Sequence, residues 1–331
     1  MQQMFYYATE FNQNLSNWDV AEVLNMYNMF DGCAKFNNGG SPLTWTTSKL
    51  TNMGGIFSNC TVFNQPIPNW DTSNVTNMLN MFYLATSFNQ DIGNWDTNKV
   101  TVASSMFNQA TSFNQNVGNW DTSNITTMYG MFYHAFDFNN GGSNDISKWN
   151  TSKVTTMVNM FKNNNIFNQD ITKQTINAGS IDEYIAWNTS DVSSMQNMFH
   201  SCTVFNQDIR NWDVSSVTNF ANMFKSASVM ITEYNGVSGF GITPNPWFWN
   251  KYQFADKAEL QTAVNLWISD KTSAITTYSE INTWDTSLIT DMSSLFNDTE
   301  FNDDISNWDV SNVTNMYYMF GFNIKFNQII S

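Results

Sequence analysis

Charged residues are scarce in this 331-residue chain, at 12% of the total, and positive ones are the scarcest. Only 13 Lys and Arg stand against 28 Asp and Glu, which gives a formal net charge of −15, and Arg210 is the only arginine. Proteins that bind nucleic acid neutralise its phosphates with Lys and Arg, and anionic membranes attract basic segments. We therefore expect no nucleic-acid partner and no attraction to an anionic membrane.

Long apolar runs are also missing, so we predict neither direct membrane insertion nor an export signal within the chain itself. The two histidines, His134 and His200, belong to no set with metal-ligand spacing, and no P-loop, Rossmann or nucleophile-elbow motif is present. We accordingly predict that the protein is not an enzyme and has no catalytic residues and no cofactor.

The chain does contain a repeat of about 25 residues, MFxxAxxFNQxIxNWDTSxVTxMxx. The register is marked by tryptophans that precede Asp, Asn or Thr, namely Trp18, Trp45, Trp70, Trp95, Trp120, Trp149, Trp187, Trp212, Trp284 and Trp308. Three cysteines, Cys33, Cys60 and Cys202, stand where other repeats have a small core residue such as Ala85, so we predict buried free thiols.

One repeat, Asp71–Trp95, illustrates the predicted unit. Val75, Met78, Phe82, Ala85 and Phe88 recur at steps of three and four residues, which predicts a helix, and the Asp-Thr-Ser turn at 71–73 offers side-chain oxygens to cap it. Residues 89–95 are too short and too rich in Gly and Asn for a helix, which favours a short strand there. The fold class we predict is α/β, a leucine-rich-repeat-like solenoid of about ten repeats, each a short parallel strand plus a helix. We expect the recurrent Asn of the FNQ motif to satisfy backbone groups from repeat to repeat.

Interruptions of the 25-residue repeat suggest the domain organisation. We assign 1–230 to a repeat block, 231–253 to a linker or insertion, 254–283 to a cap-like helical segment and 284–331 to the start of a second repeat block. One uninterrupted solenoid with a bulky insertion is the alternative. Within the first block, Gly-rich loops near 38–42 and 140–143 are small insertions, and 172–186 is a longer excursion containing a helical turn. The chain begins and ends within a repeat, which predicts a segment of a longer protein whose open ends could self-assemble.

The run Phe301–Met316, FNDDISNWDVSNVTNM, resembles the repeat of the bacterial surface protein A type leucine-rich-repeat family, in its mycoplasma lipoprotein-like branch. The resemblance extends over nearly every repeat, and the helix 258–268 with Trp284 resembles the segment that introduces such arrays. It implies a secreted or surface-exposed protein that acts in adhesion or as a structural element, without catalytic residues shared across the family.

Two sets of residues are candidate sites. The residue before the predicted strand Ile is polar in five repeats, which would form a polar or Ca²⁺-binding row if the repeats stack in register: Asp91, Asn116, Asp145, Asp170 and Asp208. A solvated polar edge is the alternative. Aromatic residues that could stack on sugars include Tyr83, Tyr133 and the pair Trp247 and Trp249, although that pair could equally pack against the cap helix.

These features together favour a non-enzymatic extracellular or particle-surface repeat protein, localised outside the cell, on its surface or on a virion, that acts in adhesion or builds a fibre or coat. The alternative is a carbohydrate-binding surface module. In both cases the expected partner is a protein or a glycan on another surface. Ca²⁺ is the one ion that the polar row suggests as a ligand.

Overall fold

The computed structural model describes residues 1–235, 237, 239–249 and 252–329, apart from the side chains of 246, 247 and 276. These residues form two compact units. Unit 1 contains Met1–Asn235 and Gly241–Pro244, and unit 2 contains the other described residues.

Regular secondary structure is sparse in the described residues. The α-helices are α1 (Ser228–Glu233), α2 (Lys257–Ser269) and α3 (Lys271–Tyr278), and the strands are β1 (Gln174–Ile176) and β2 (Tyr184–Ala186). Short 3-10 helices lie at Asn38–Gly40, Asn140–Gly142, Asn144–Lys148, Pro246–Trp249 and Ile281–Thr283. In the described part of the chain, none of these helices has the length and the apolarity needed to cross a membrane.

The predicted leucine-rich-repeat-like solenoid of strand-plus-helix units is wrong. The segment expected to be helical is a series of tight turns in which some N–H groups bond three residues back and others bond to a neighbouring repeat. Phe82 N donates to Met106 O of the following repeat at 2.9 Å, whereas Ala85 N donates to Phe82 O at 3.1 Å. A helical ladder would need every N–H to bond four residues back.

Left-handed backbone conformations explain why no helix forms. Asn80 has φ of +54° and Leu84 has φ of +56°, and the same pair of positions, four residues apart, has positive φ in most repeats. An L-residue in this conformation cannot continue a right-handed helix, and Asn tolerates it better than most residues do. Successive turns nevertheless return Met78, Phe82 and Ala85 to the core at steps of three and four residues, which is the spacing that also predicts a helix.

Pairing between repeats is parallel but is limited to single bridging residues. The bridges in unit 1 join Asn25, Asn52, Asn77, Val102 and Thr127 in series, and then Thr156, Ser194 and Asn219. The predicted strand at 89–95 is absent, since the structure describes those residues as turn or irregular. Backbone hydrogen bonds between neighbouring repeats thus take the place of a continuous sheet.

The core is built from side chains of the same position stacked along the chain. Phe82, Phe107 and Phe132 follow one another with ring centroids 5.6 and 5.5 Å apart, and Trp95 lies 6.4 Å from Trp120. The phenylalanines are fully buried and the tryptophans nearly so. Because each stacked aromatic pair contributes about 0.5–1.5 kcal/mol beyond its burial, the columns favour keeping adjacent repeats in register.

The predicted asparagine ladder is confirmed. The FNQ asparagine of each repeat accepts, through Oδ1, the backbone N–H of its counterpart in the next repeat, so that Asn89 N donates to Asn64 and Asn114 N to Asn89 at 2.9 and 3.0 Å. The series extends to Asn139 and then to Asn168 and Asn206. A side chain at a fixed position thereby satisfies a backbone donor in every successive repeat.

The prediction for the three cysteines is confirmed, but the prediction for the excursion 172–186 is wrong. Cys33, Cys60 and Cys202 are buried free thiols. The excursion 172–186, however, forms an antiparallel hairpin of β1 and β2 instead of the expected helical turn. Its tip is open to solvent, since Ile181 is 99% exposed.

In unit 2, α2 begins with a capping box in which the reciprocal bond comes from Ala255, the residue before the N-cap. Asp256 Oδ1 accepts a bond from Glu259 N at 2.9 Å, and Glu259 Oε2 accepts one from Ala255 N at 2.8 Å. The apolar residues that the helix buries are Leu260, Ala263, Val264 and Trp267. Ile268, near the end of the helix, is 44% exposed.

Candidate functional site

The predicted polar row lies at the start of a tight turn in each repeat. Asp91 Oδ1 accepts a bond from Gly93 N at 2.9 Å, Asn116 Oδ1 accepts one from Gly118 N at 2.8 Å, and Asp170 Oδ1 accepts one from Thr172 N at 2.9 Å. Side chains that bond the backbone two residues ahead stabilise turns. Each of these residues therefore has a local structural role.

Asp145, like Asp208, is paired with a cation. Its carboxylate accepts bonds from Lys148 Nζ and Ser143 Oγ, both at 2.8 Å, and from Asn116 Nδ2 at 3.3 Å. The bond from Lys148, together with those from Ser143 and Asn116, lowers the pKa of Asp145 to about 2. The contact with Asn116 is the one that joins two members of the row in adjacent repeats.

Asp208, the last member of the row, holds the single arginine. Arg210 Nε and Nη2 each donate to a carboxylate oxygen of Asp208 at 2.9 Å, and the guanidinium lies 5.3 Å from the ring centroid of Tyr234. Arg210 is only 5% exposed. A bidentate pair of this kind is geometrically specific, and it directs the arginine toward its own chain instead of an external anion.

Across the described residues, no group of three or more His, Cys, Asp or Glu side chains is placed to hold a metal ion. The row's carboxylates also accept bonds from the backbone, from Lys148 and from Arg210. Ca²⁺ binding at the row stays a prediction, and any such ion would compete with these internal donors.

The two candidate tryptophans lie in the 3-10 helix Pro246–Trp249. Trp249 is 6% exposed and packs edge-on against Phe248 with centroids 4.9 Å apart, so its ring is not an open surface for a sugar. The side chain of Trp247 lies outside the described residues. Tyr83 and Tyr133, the other aromatics suggested as sugar contacts, are half-buried.

The hairpin of β1 and β2 forms one wall of a polar groove of about 520 Å³. Asp182, Glu183 and Tyr184 line it from the hairpin, and Asp121 and Lys148 line it from the repeats. Tyr184 Oη donates to Lys148 O at 2.6 Å, which fastens the hairpin to the repeat beside it. Burial of the Tyr184 ring and the nearby Asp121 charge raise the pKa of its hydroxyl.

This groove is not apparent from the sequence, because it arises from the hairpin folding back over repeats up to about 60 residues earlier in the chain. The only sequence signal was the length of the excursion at 172–186. A volume of this size falls in the range of small-molecule sites, but the groove is lined mainly by polar groups, whereas most such sites are apolar.

Both histidines occupy turns in unit 1. His134 Nε2 is hydrogen-bonded to Asn163 Nδ2, and His200 Nδ1 lies 3.1 Å from Ser201 Oγ. Burial lowers the pKa of each imidazole, and nearby lysine charges lower it further. No acid or base partner suited to catalysis is bonded to either ring among the described residues.

Comparison with known proteins agrees with the repeat pattern. A family model described as "Mycoplasma protein of unknown function, DUF285" matches residues 1–68, 41–144, 142–235 and 252–331. No curated protein and no solved structure matches the chain. The resemblance to a repeat family is thus supported, but the leucine-rich-repeat part of it is not, and the turn-based repeat described above argues against it. Because the matched ranges include nearly every residue, the protein belongs to the DUF285 family.

Proposed function

We propose that the protein is a non-enzymatic repeat protein of an extracellular, cell or particle surface, where it acts in adhesion or as a structural element of a fibre or coat. The observation that carries the proposal is the regular presentation of one polar group by successive repeats. Thr51, Thr76, Thr101 and Thr126 are all exposed, and each hydroxyl bonds a carbonyl of the preceding repeat. Such a surface presents the same threonine hydroxyl in successive repeats.

A repeated surface favours a partner that is itself repetitive, because several weak and equivalent contacts can then form at once. The scarcity of charge supports the same conclusion, since uncharged hydroxyl and amide groups bind through directional hydrogen bonds more than through long-range attraction. Protein coats and glycan layers are the repetitive partners that surround cells and particles.

Surface labelling tests the proposed location. An antibody raised against unit 1 should label intact cells or particles that carry the natural protein as strongly as it labels permeabilised ones. Labelling that requires permeabilisation would contradict the proposal. Light scattering of the purified chain tests the structural role separately, because a fibre or coat element should form defined assemblies as its concentration rises.

Carbohydrate binding is the second candidate function, and the polar groove beside the hairpin favours it. Hydroxyl-rich ligands need several convergent polar groups and an aromatic wall, and Asp182, Glu183 and Tyr184 provide both types. On an array of neutral glycans, Asp182→Asn should weaken any signal from this groove. The matched control is Glu10→Gln, which removes one exposed carboxylate outside the groove. Equal signals from the two variants would exclude the groove as the glycan site.

A further inference from the structure

Four consecutive repeats of unit 1 place cationic and polar side chains at the same two positions. These are the two residues that follow the Phe of the Met-Phe pair: Tyr133 and His134, Lys162 and Asn163, His200 and Ser201, and Lys225 and Ser226. We call the four basic members, His134, Lys162, His200 and Lys225, the basic column. All eight side chains are half-buried or exposed.

Backbone bonds fix the order of the basic column. His134 N donates to Lys162 O at 2.9 Å, Asn163 N to His200 O at 2.7 Å, and Ser201 N to Lys225 O at 2.7 Å. Repeats joined in this way lie about 4.8 Å apart at the bonded positions. Lys162, His200 and Lys225 occupy the first position in consecutive repeats and therefore follow one another at this interval, and His134 occupies the second position of the repeat before them.

The two lysines of the basic column form no ion pair in the described part of the chain. Lys49, Lys148, Lys257 and Lys271 each form an ion pair with a carboxylate, whereas in the described part of the chain Lys162 and Lys225 form none. Lys162 Nζ lies instead 5.5 Å from the centroid of the Tyr133 ring. Five other lysines also form no ion pair among the described residues, namely Lys35, Lys99, Lys153, Lys173 and Lys325. Lys162 and Lys225 differ in that their charges act on the two histidines.

Burial and the lysines of the basic column lower the pKa of its histidines. Burial lowers the pKa of His134 and of His200, and Lys162 lowers both further, with Lys225 also acting on His200. The other groups that face His134 are the rings of Tyr133 and Phe136, with centroids 4.2 and 5.4 Å away. No carboxylate contributes to either shift. The histidines are thus mostly neutral near pH 7, and an anion placed beside them would favour their protonation.

We propose that the basic column, His134, Lys162, His200 and Lys225, binds an acidic polysaccharide through its sulfate or carboxylate groups. Basic side chains in successive repeats suit a linear polyanion, and the Tyr133 ring beside Lys162 suits a sugar face. The single arginine is engaged with Asp208, so the forked contacts that favour nucleic-acid phosphate are missing from this column. The inference rests on the proposed role as a surface-binding protein and specifies one ligand class for it.

Binding should be coupled to proton uptake. Since the anion favours the imidazolium forms, affinity should rise as the pH falls from about 7.5 to about 5.5, through the range in which histidine titrates. Added salt should weaken binding because the contacts are ionic.

The chain's two histidines both lie in the basic column, so their side-chain NMR signals report on this site alone. We would titrate the whole chain with heparin, a sulfated polysaccharide, and follow both imidazoles across this pH range, with calorimetry for the affinity. Heparin should raise the pKa of both histidines. Lys162→Gln and Lys225→Gln should each weaken binding about tenfold, as expected for loss of a charge-assisted bond.

The matched control is Lys99→Gln, which makes the same change of net charge at a lysine bonded to Asn74 outside the basic column. It should leave the affinity and the histidine signals unchanged, and urea unfolding of all three variants should establish that they are folded. The proposal would be overturned if all three variants weakened heparin binding equally, or if heparin left the histidine NMR signals unchanged. Equally tight binding of single-stranded DNA or polyglutamate would overturn the assignment to a polysaccharide. Surface labelling is independent of heparin binding, so the two proposals can fail separately.

Discussion

Replacing Thr122 with Val tests how much one buried hydroxyl between repeats contributes to stability. Thr122 is 1% exposed, and its Oγ1 donates to Asn150 O of the next repeat at 2.9 Å. That carbonyl accepts no other hydrogen bond from the described residues. Thr122→Val keeps the shape of the side chain but removes the donor to the carbonyl of the half-buried Asn150, so we expect the free energy of unfolding to fall by about 1 kcal/mol.

Thr101→Val is the matched control, because it makes the same chemical change at an exposed position. Thr101 Oγ1 donates to Thr76 O at 3.2 Å, but this carbonyl also accepts the N–H of Thr101 at 2.9 Å and stays satisfied without the hydroxyl. We expect a change within about 0.5 kcal/mol. Urea unfolding followed by tryptophan fluorescence measures both variants. Equal costs, or no cost at Thr122, would refute the reasoning that buried side-chain bonds hold the repeats together.

Three further predictions follow from the repeat and its turns. Gln109 has φ of +61°, so Gln109→Gly should leave the free energy of unfolding unchanged or raise it by up to about 1 kcal/mol, whereas the same change inside a helix would cost about 1 kcal/mol; urea unfolding gives the sign. Burial raises the pKa of Cys33 to about 11, so a thiol reagent at pH 8 should label the folded chain slowly and the urea-unfolded chain fully, and rapid labelling of the folded chain would contradict the burial of its three cysteines. The pKa of Asp145 is lowered to about 2 by Lys148, so the stabilisation from this pair should be complete above the unfolded pKa near 4 and be lost as the pH falls toward 2; Lys148→Met should raise the pKa of Asp145 in an NMR titration.

Several features could be predicted from the sequence because each depends on a single residue type at a fixed position. The stacked core follows from Phe and Trp recurring in register, the asparagine ladder follows from the FNQ motif, and the buried thiols follow from Cys33 replacing a small core residue. The capping box at Asp256 and Glu259 is a local pattern that needs no knowledge of distant contacts.

The conformation of the repeat could not be predicted from periodicity, because a helix and a series of tight turns both bury residues at steps of three and four. The distinguishing signal is the conformation of the residues between the core positions. Asn28, Asn59, Asn80 and Asn159 suit a left-handed backbone, but Leu84 and His134 adopt it as well and give no such hint. In these cases the hydrogen bonds to the neighbouring repeat hold a conformation that the residue alone would avoid.

The candidate sites were harder to predict than the core. The row from Asp91 to Asp208 is visible in the sequence, but the bonds of Asp91 and Asp208 to their own turns depend on backbone geometry. The groove beside the hairpin depends on Tyr184 reaching Lys148, 36 residues earlier in the chain. The basic column was hidden because His134 and Lys162 become neighbours only through the stacking of repeats.

The central claim is that the repeats are held together by bonds between successive turns and not by helices. Far-ultraviolet circular dichroism of the purified chain tests it most directly. The account predicts a weak helical signal, since the α-helices in the described residues are only 6, 13 and 8 residues long. A strong helical double minimum, of the size expected from a helix in each of about ten repeats, would contradict it.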